Sequence, residues 1–255
     1  MMKLDVIATL RDAWSLFRRD SDLIVRLTAP FLFWPALAVG LLVPQMPVPA
    51  EDAAQGAARA MAWLDSFQVW AGHYGGWYVA AYAVGTIGTA ALLAMQFGDG
   101  QPTMGQPTMG ESLGRAIRMA PRFLLAMMLV ALPVGAGMLL YILPGLYIAG
   151  RLLLVGPVLF AERQMPAMAA ISRSFVLTRG AGLPMAALAS CTYLGGVLAG
   201  QPFLALVDAV KGGGPGNPVA VALLQAGAAA IAMAAGVAQA LIAAAAYRRL
   251  ASRGI

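Results

Sequence analysis

The feature that most restricts this chain is a series of long apolar blocks: Ile24–Val43, Trp77–Phe97, Phe123–Ile142, Leu146–Ala161, Leu183–Val207 and Pro218–Tyr247. Crossing about 30 Å of hydrocarbon takes about 20 apolar residues in a helix. Inside a bilayer every backbone N–H and C=O must find a partner, which leaves helices or closed barrels. Barrel strands are about 10 residues long with polar and apolar positions alternating, and none of the blocks alternates. The expectation is an all-α integral membrane protein, a six-transmembrane helical bundle filling residues 1–255 as one domain. Composition agrees: 60% of the residues are hydrophobic and 11% are charged, against about 25% charged in a soluble domain.

The fourth block is the shortest and contains Arg151, Gly156 and Pro157. It follows the third through Leu143-Pro144-Gly145, a tight-turn signal. It reads either as the second arm of a hairpin or as a re-entrant segment. Orientation comes from lysine and arginine, which concentrate on the cytoplasmic side of bilayers. With both termini inside, the cytoplasmic segments hold Lys3, Arg11, Arg18, Arg19 and Arg26, then Arg115, Arg118 and Arg122, then Arg163, Arg173 and Arg179, and finally Arg248, Arg249 and Arg253. Only Arg59 and Lys211 fall outside, and Arg151 lies within a span. Trp63, Trp70, Tyr74, Trp77 and Tyr78 cluster at the first outer boundary, where an aromatic belt belongs. The first apolar block comes late and has no small-residue cleavage pattern after it, so the N-terminus reads as an anchor rather than a cleavable signal. Abundant Ala and Gly, with arginine far exceeding lysine, suggest a GC-rich bacterial source and hence the inner (cytoplasmic) membrane.

Three stretches on the cytoplasmic side carry apolar residues at helical spacing: Lys3–Arg19, Gly110–Arg122 and Pro166–Arg179. Such helices lie in the headgroup plane. The third should run from Pro166, suited to a first helical turn, to Arg179, with Gly180 as its C-terminal cap. Because each stretch precedes two spans, the chain reads as a possible threefold repeat with units 3–97, 107–163 and 165–247. A second, trivial repeat is Gln-Pro-Thr-Met-Gly at 101–105 and 106–110, too short for a solenoid.

Few residues suggest chemistry. A charge within a span is costly and is a functional hypothesis by default. Arg151 lies seven residues past Pro144, about 10 Å below the turn. It either snorkels or pairs structurally, or it lines a transport path or ligand site. Glu162 shares its face but stands about 16 Å further along a regular helix. Gln225 and Gln239 share a face of the last span and suit bonds to neighbouring helices, or the lining of a polar cavity. Gly196 and Gly200 form a GxxxG packing motif. Ser174 and Thr178 lie four apart on one helix face; with Arg179, and with Arg173 nearby, they could hold a lipid phosphate, or their hydroxyls could bond back to the preceding turn. His73 and Cys191 are each the only residue of their kind, which argues against metal cages and disulfides. No nucleotide-binding or kinase signature occurs, no cofactor is implied, and the basic residues form no run that would track nucleic acid.

The stretch 143–180 reads LPGLYIAGRLLLVGPVLFAERQMPAMAAISRSFVLTRG. It resembles the membrane domain attached to some bacterial glycerophosphodiester phosphodiesterases, and that domain's stand-alone multi-span relatives. The matching positions are Pro144, Gly145, Tyr147, Arg151, Pro157, Glu162, Ser174, Phe175, Leu177, Thr178 and Gly180. The resemblance implies a six-span inner-membrane protein but no activity, because the phosphodiester chemistry of such proteins belongs to a separate soluble barrel with paired carboxylates, histidines and a metal. The expected function is therefore a non-catalytic membrane protein that contacts lipid, anionic lipid included, and supports or recruits a protein partner or a second copy. The competing expectation is a transporter or lipid-moving protein with a polar site near Arg151. An intramembrane enzyme using Arg151 or Glu162 is the third reading.

Overall fold

The computed structural model describes residues 4–47, 57–98, 109–162, 165–212, 214 and 216–252. Lys3, Arg163 and Arg253, and most of the Gln-Pro-Thr-Met-Gly duplication, lie outside the described residues. Within them the regular structure is entirely helical. Six segments are long and apolar enough to cross a membrane: Ser21–Leu42, Met61–Gln96, Met109–Leu140, Ile142–Ala161, Gly182–Lys211 and Pro218–Ala251. Each contains most of one predicted apolar block.

Helix α1 (Val6–Arg19) starts where the Asp5 carboxylate accepts from the Ala8 N–H at 3.1 Å. The first long segment then runs as α2 (Ser21–Thr28), one wide π turn (Ala29–Phe33) and α3 (Trp34–Leu42). The turn has a local cause: Pro30 and Pro35 have no N–H to donate, so the hydrogen-bond ladder is interrupted twice within six residues.

Helix α4 (Ala57–Gln96) has 40 residues, about 60 Å of helix and twice the hydrocarbon thickness. The aromatic residues of the expected belt lie on this one continuous helix, where Trp63, Phe67 and Trp70 stack in sequence and Tyr78 lies tilted against Trp70, with centroids 5.4–6.0 Å apart. The indole N–H groups of Trp63 and Trp70 donate to the carbonyls of Pro47 and Pro44, tying down the end of the preceding segment.

Helix α5 (Met109–Leu140) absorbs the stretch Gly110–Arg122, which was expected as a separate surface helix. Pro121 and Pro133 sit inside it without ending it. The turn that follows is also displaced. It falls at Tyr141, whose backbone is extended, and α6 (Ile142–Leu152) begins before Pro144. A proline in the first turn removes only an N–H that has no helical partner. Close approach explains Gly145 and Gly150. A Cβ at Gly145 would meet the Met138 backbone at 2.6 Å, and one at Gly150 would meet Ala186 N at 2.5 Å.

The fourth segment is a full-length but broken span: α6, two residues of turn at Leu153–Leu154, and α7 (Val155–Ala161). Pro157 cannot donate to the Leu153 carbonyl, which accounts for the break. Helix α8 (Ala167–Leu177) ends short of the expected Arg179, with Thr178 rather than Gly180 as its C-cap, and Gly180 adopts a left-handed φ of +79° in the turn that follows; Pro166 lies just before the first turn rather than in it. Helices α9 (Gly182–Lys211) and α10 (Pro218–Ala251) complete the bundle, with α9 packed against α10 and α6, and α5 against α4 and α6. Of the GxxxG pair, Gly196 faces Ala235 of α10 and Gly200 faces open space. The best-buried part of the bundle gathers Ala90–Met95, Val155–Phe160 and Ala240–Tyr247. Towards the α5–α6 turn, Leu139, Leu140 and Leu143 stand exposed, as side chains that face lipid do.

Candidate functional site

Arg151 is the charge the sequence placed at membrane depth, and its partners are backbone carbonyls. The guanidinium donates to Phe175 O at 2.9 Å and Thr178 O at 3.4 Å, and lies 5.2 Å from the Phe175 ring centroid. Phe175 lies in the last turn of α8, where a helix leaves acceptors without a helical partner and its dipole is negative; Thr178 is the C-cap, and its carbonyl also accepts from the Ala181 N–H at 3.0 Å. The reverse contact is equally specific: Ser174 Oγ donates to the Arg151 carbonyl at 2.7 Å. That carbonyl sits next to the break at Leu153–Leu154, where the helical ladder cannot serve it. Arginine and serine thus clasp α6 to α8, each supplying what the other helix's backbone lacks. Of the guanidinium nitrogens, Nε is buried without a partner among the described residues, as are Gln96 Nε2 and Ser112 Oγ.

The clasp decides how the other α8 residues stand. Ser174 and Thr178 are both fully buried, and Thr178 Oγ1 donates back to Ser174 O at 2.7 Å. Arg179 is exposed. The three therefore do not converge on a phosphate; the hydroxyls are spent inside the protein. Arg173 pairs instead with Glu162, with Nε 3.0 and 3.2 Å from the two carboxylate oxygens, and Glu162 also accepts from the Tyr247 hydroxyl at 3.2 Å. Glu162 thus joins the end of α7 to α8 and α10 and has no contact with Arg151.

The same device recurs where α4 ends. Arg115 donates to the carbonyls of Phe97 at 2.6 Å and Phe160 at 3.1 Å, so one side chain serves the last turns of α4 and α7. Arg248 donates to the Gln96 carbonyl at 2.7 Å and lies over the Phe97 ring. Arg249 hydrogen-bonds Asp12 of α1 and the Ala8 carbonyl. That bond, with the positive charges of Arg249 and Arg11, holds the Asp12 carboxyl below the usual carboxylate range.

Another feature was not legible in the sequence. A half-open chamber of about 480 Å³ lies between segments from all six spans, with Tyr82 and Tyr193 of its lining exposed; its volume is within the range of small-molecule sites. Its wall is mainly apolar. Tyr82, Thr86 and Thr89 of α4, Tyr193 of α9 and Gln239 of α10 are its polar side chains, and no charged residue lines it. Thr86 and Thr89 donate back to their own helix, so Tyr82, Tyr193 and Gln239 are the side chains of this lining that offer donors to an occupant. Both helix interruptions reach the wall, through Leu32 of the π turn and through Leu152, Leu153, Gly156 and Pro157 of the broken fourth span. Gln239, one of two glutamines singled out by spacing, does line a cavity. Gln225 does not: it is buried against Gly40, where a Cβ would stand 2.5 Å from its Oε1. Arg151 is absent from the chamber. No signal in the sequence marks Tyr82 or Tyr193, because a chamber is formed by what six separated segments fail to fill.

The six apolar segments define a multi-pass α-helical membrane protein. Comparison with protein-family models, with curated proteins and with solved structures gave no match.

Proposed function

We propose that this chain is a non-catalytic protein of a bacterial cytoplasmic membrane, with both termini inside, that holds a neutral lipid-like amphiphile in its central chamber. The observation that carries this reading is the lining: an apolar wall that suits a hydrocarbon body, with Tyr82, Tyr193 and Gln239 as neutral hydrogen-bonding groups for a small polar head. A charged solute would meet no counter-charge there, and burying it unpaired would cost several kcal/mol. The arginine-rich end lies at cytoplasmic headgroups in this orientation, so anionic lipid surrounds it. α1 and α8 lie along that surface, and a protein partner or a second copy docks on the same side. The likeness of 143–180 to phosphodiesterase-associated membrane domains fits such a supporting role.

The test is lipid retention. Protein purified in mild detergent should carry a neutral lipid detectable by mass spectrometry. Gln239→Leu should reduce the retained amount several-fold, as should Gly135→Leu, which grows into the chamber from a position with open space around it. Equal retention in wild type and both variants refutes the reading.

A second reading, movement of the amphiphile between leaflets, is favoured by one observation: both broken segments line the chamber. Interrupted helices at binding sites are a recurrent element of transporters. Transfer of a fluorescent neutral lipid across reconstituted vesicles that matches the rate in protein-free vesicles would exclude it.

A further inference from the structure

A second cavity lies away from the chamber, on the flank of the bundle. It is a groove of about 580 Å³ between Leu10, Ala13, Trp14 and Phe17 of α1, Val25 of α2, and the α10 surface from Ala230 to Ile242. All of its lining side chains are apolar. The α10 wall runs over twelve helical rises from Ala230 to Ile242, about 18 Å, close to the roughly 15 Å depth of one leaflet's hydrocarbon. Trp14 and Val25 at its edge are exposed.

What distinguishes this groove from bare lipid-facing surface is its rim. Arg11 and Arg18 are three residues before and four residues after Trp14, so both project from the same side of α1 as that indole. Both are exposed. Neither makes a salt bridge or side-chain hydrogen bond among the described residues. Their neighbours differ: Arg19 is paired with Asp20, Arg26 with Asp22, and Arg249 with Asp12. Arg11 and Arg18 thus stand beside the groove exposed and with no side-chain hydrogen bond or salt bridge among the described residues.

We propose that this groove is an anionic phospholipid site: one acyl chain lies along α10 beneath α1, and the headgroup phosphate is bound by Arg11 and Arg18. Arginine suits this task because its planar fork donates two parallel hydrogen bonds to a phosphate. The indole of Trp14 lies between chain and headgroup, the level that tryptophan favours. The chain fills an apolar space that α1 alone leaves open, so the bound lipid also fastens α1 to α10 alongside the Asp12–Arg249 bond. The inference rests on the reading that α1 lies at the cytoplasmic headgroups, and it adds to that reading a defined stoichiometric site.

The experiment uses the full chain in nanodiscs of phosphatidylcholine with a minor share of phosphatidylglycerol, followed by native mass spectrometry of the lipids retained. Three variants are compared: Arg11→Gln/Arg18→Gln, Arg118→Gln/Arg122→Gln, which removes the same charge from exposed positions on α5, and Ala234→Leu/Ala238→Leu, which fills the groove. Wild type should retain one phosphatidylglycerol per chain. The first pair should lower the preference for phosphatidylglycerol roughly 30-fold, the worth of two headgroup-level charges, while the α5 pair leaves it within about twofold. The groove-filling pair should abolish retention of the single lipid with helicity and melting unchanged; if that pair does not fold, quenching of Trp14 fluorescence by brominated phosphatidylglycerol, measured as the difference between wild type and Trp14→Phe, reports the same site. Equal losses from both arginine pairs would overturn the site and leave only a general basic surface. No preference in wild type would overturn both the site and the placement of α1 against anionic lipid.

Discussion

Replacing Arg151 by Leu should loosen α8 while leaving the rest of the bundle closed. The 2.9 Å bond to Phe175 O is a hydrogen bond from a charged donor, worth about 1.5–3 kcal/mol. The 3.4 Å bond to Thr178 O is long and adds little. The guanidinium also meets the negative end of the α8 dipole, about 0.3–1 kcal/mol, and the Phe175 ring, about 0.5–1 kcal/mol at a partly exposed site. Within a bilayer the lower part of that total applies, because polar groups of separated helices find other partners; the expected loss is about 2–3 kcal/mol. Arg151→Lys keeps one donor and the charge but not the fork, and should lose about half as much. The readout is unfolding of the reconstituted protein combined with hydrogen exchange resolved along the chain. The amides of Ala167–Leu177 should exchange faster in Arg151→Leu, and those of Ala240–Tyr247 should not. If Arg151 merely reached towards lipid phosphates, α8 would keep its protection and stability would change by less than about 0.5 kcal/mol; that result would refute the clasp.

Ser174→Ala should strand the Arg151 carbonyl beside the helix break and cost about 1–2 kcal/mol, and combined with Arg151→Leu it should be non-additive in a double-mutant cycle. Gly180→Ala should cost about 1–2 kcal/mol despite the open space around it, because the cost lies in the positive φ; thermal unfolding measures it. Gly150→Ala should cost about 1–3 kcal/mol or more for a different reason, the collision of its Cβ with the Ala186 backbone, and cysteine cross-linking between α6 and α9 should report the separation. The Asp12 carboxyl is held below its ordinary value of about 3.9. Its contribution is therefore complete above that value and is lost as pH falls through the lower, folded one. Hydrogen exchange of α1 should rise only in that acid window, and in Arg249→Gln the rise should move to higher pH.

Much of this architecture was legible because lipid imposes a strict code. Six apolar blocks became six segments, since a helix is what a bilayer allows a single chain to form, and Gly180 marked the turn after α8 because positive φ excludes most other residues. The boundaries were less legible. Leu143-Pro144-Gly145 looked like a turn, yet Pro144 is equally at home in a first helical turn and Gly145 is there for close contact with Met138. The helical spacing of apolar residues in Gly110–Arg122 suggested a separate surface helix, but α5 runs through that stretch as one continuous helix. The partners of Arg151 were invisible because they are backbone carbonyls of α8, and backbone acceptors leave no trace in residue identity. Glu162, read as standing too far along to serve Arg151, does serve another arginine, Arg173, eleven residues on in sequence.

The arginines admit a unified physical account. In a soluble protein the last carbonyls of a helix can turn to water. At a membrane surface water is scarcer, and a helix end packed among other helices must find donors in the protein. Arginine suits this: always charged, five donors, a stem long enough to reach a neighbouring helix. Arg115 serves α4 and α7, Arg248 serves α4, and Arg151 serves α8. The residues that give the sequence its basic bias are therefore also the ones that cap helix ends within the bundle. The motif in 143–180 takes a structural meaning in this light. Pro157 opens the break, Ser174 serves the carbonyl beside it, Arg151 caps the helix that carries Ser174, and Gly180 takes the left-handed position in the turn after that helix. Each of these residues meets a need that another creates, so the stretch specifies the joint between α6 and α8. The groups available for ligands lie elsewhere, in the uncharged chamber and along the unpaired arginines of α1.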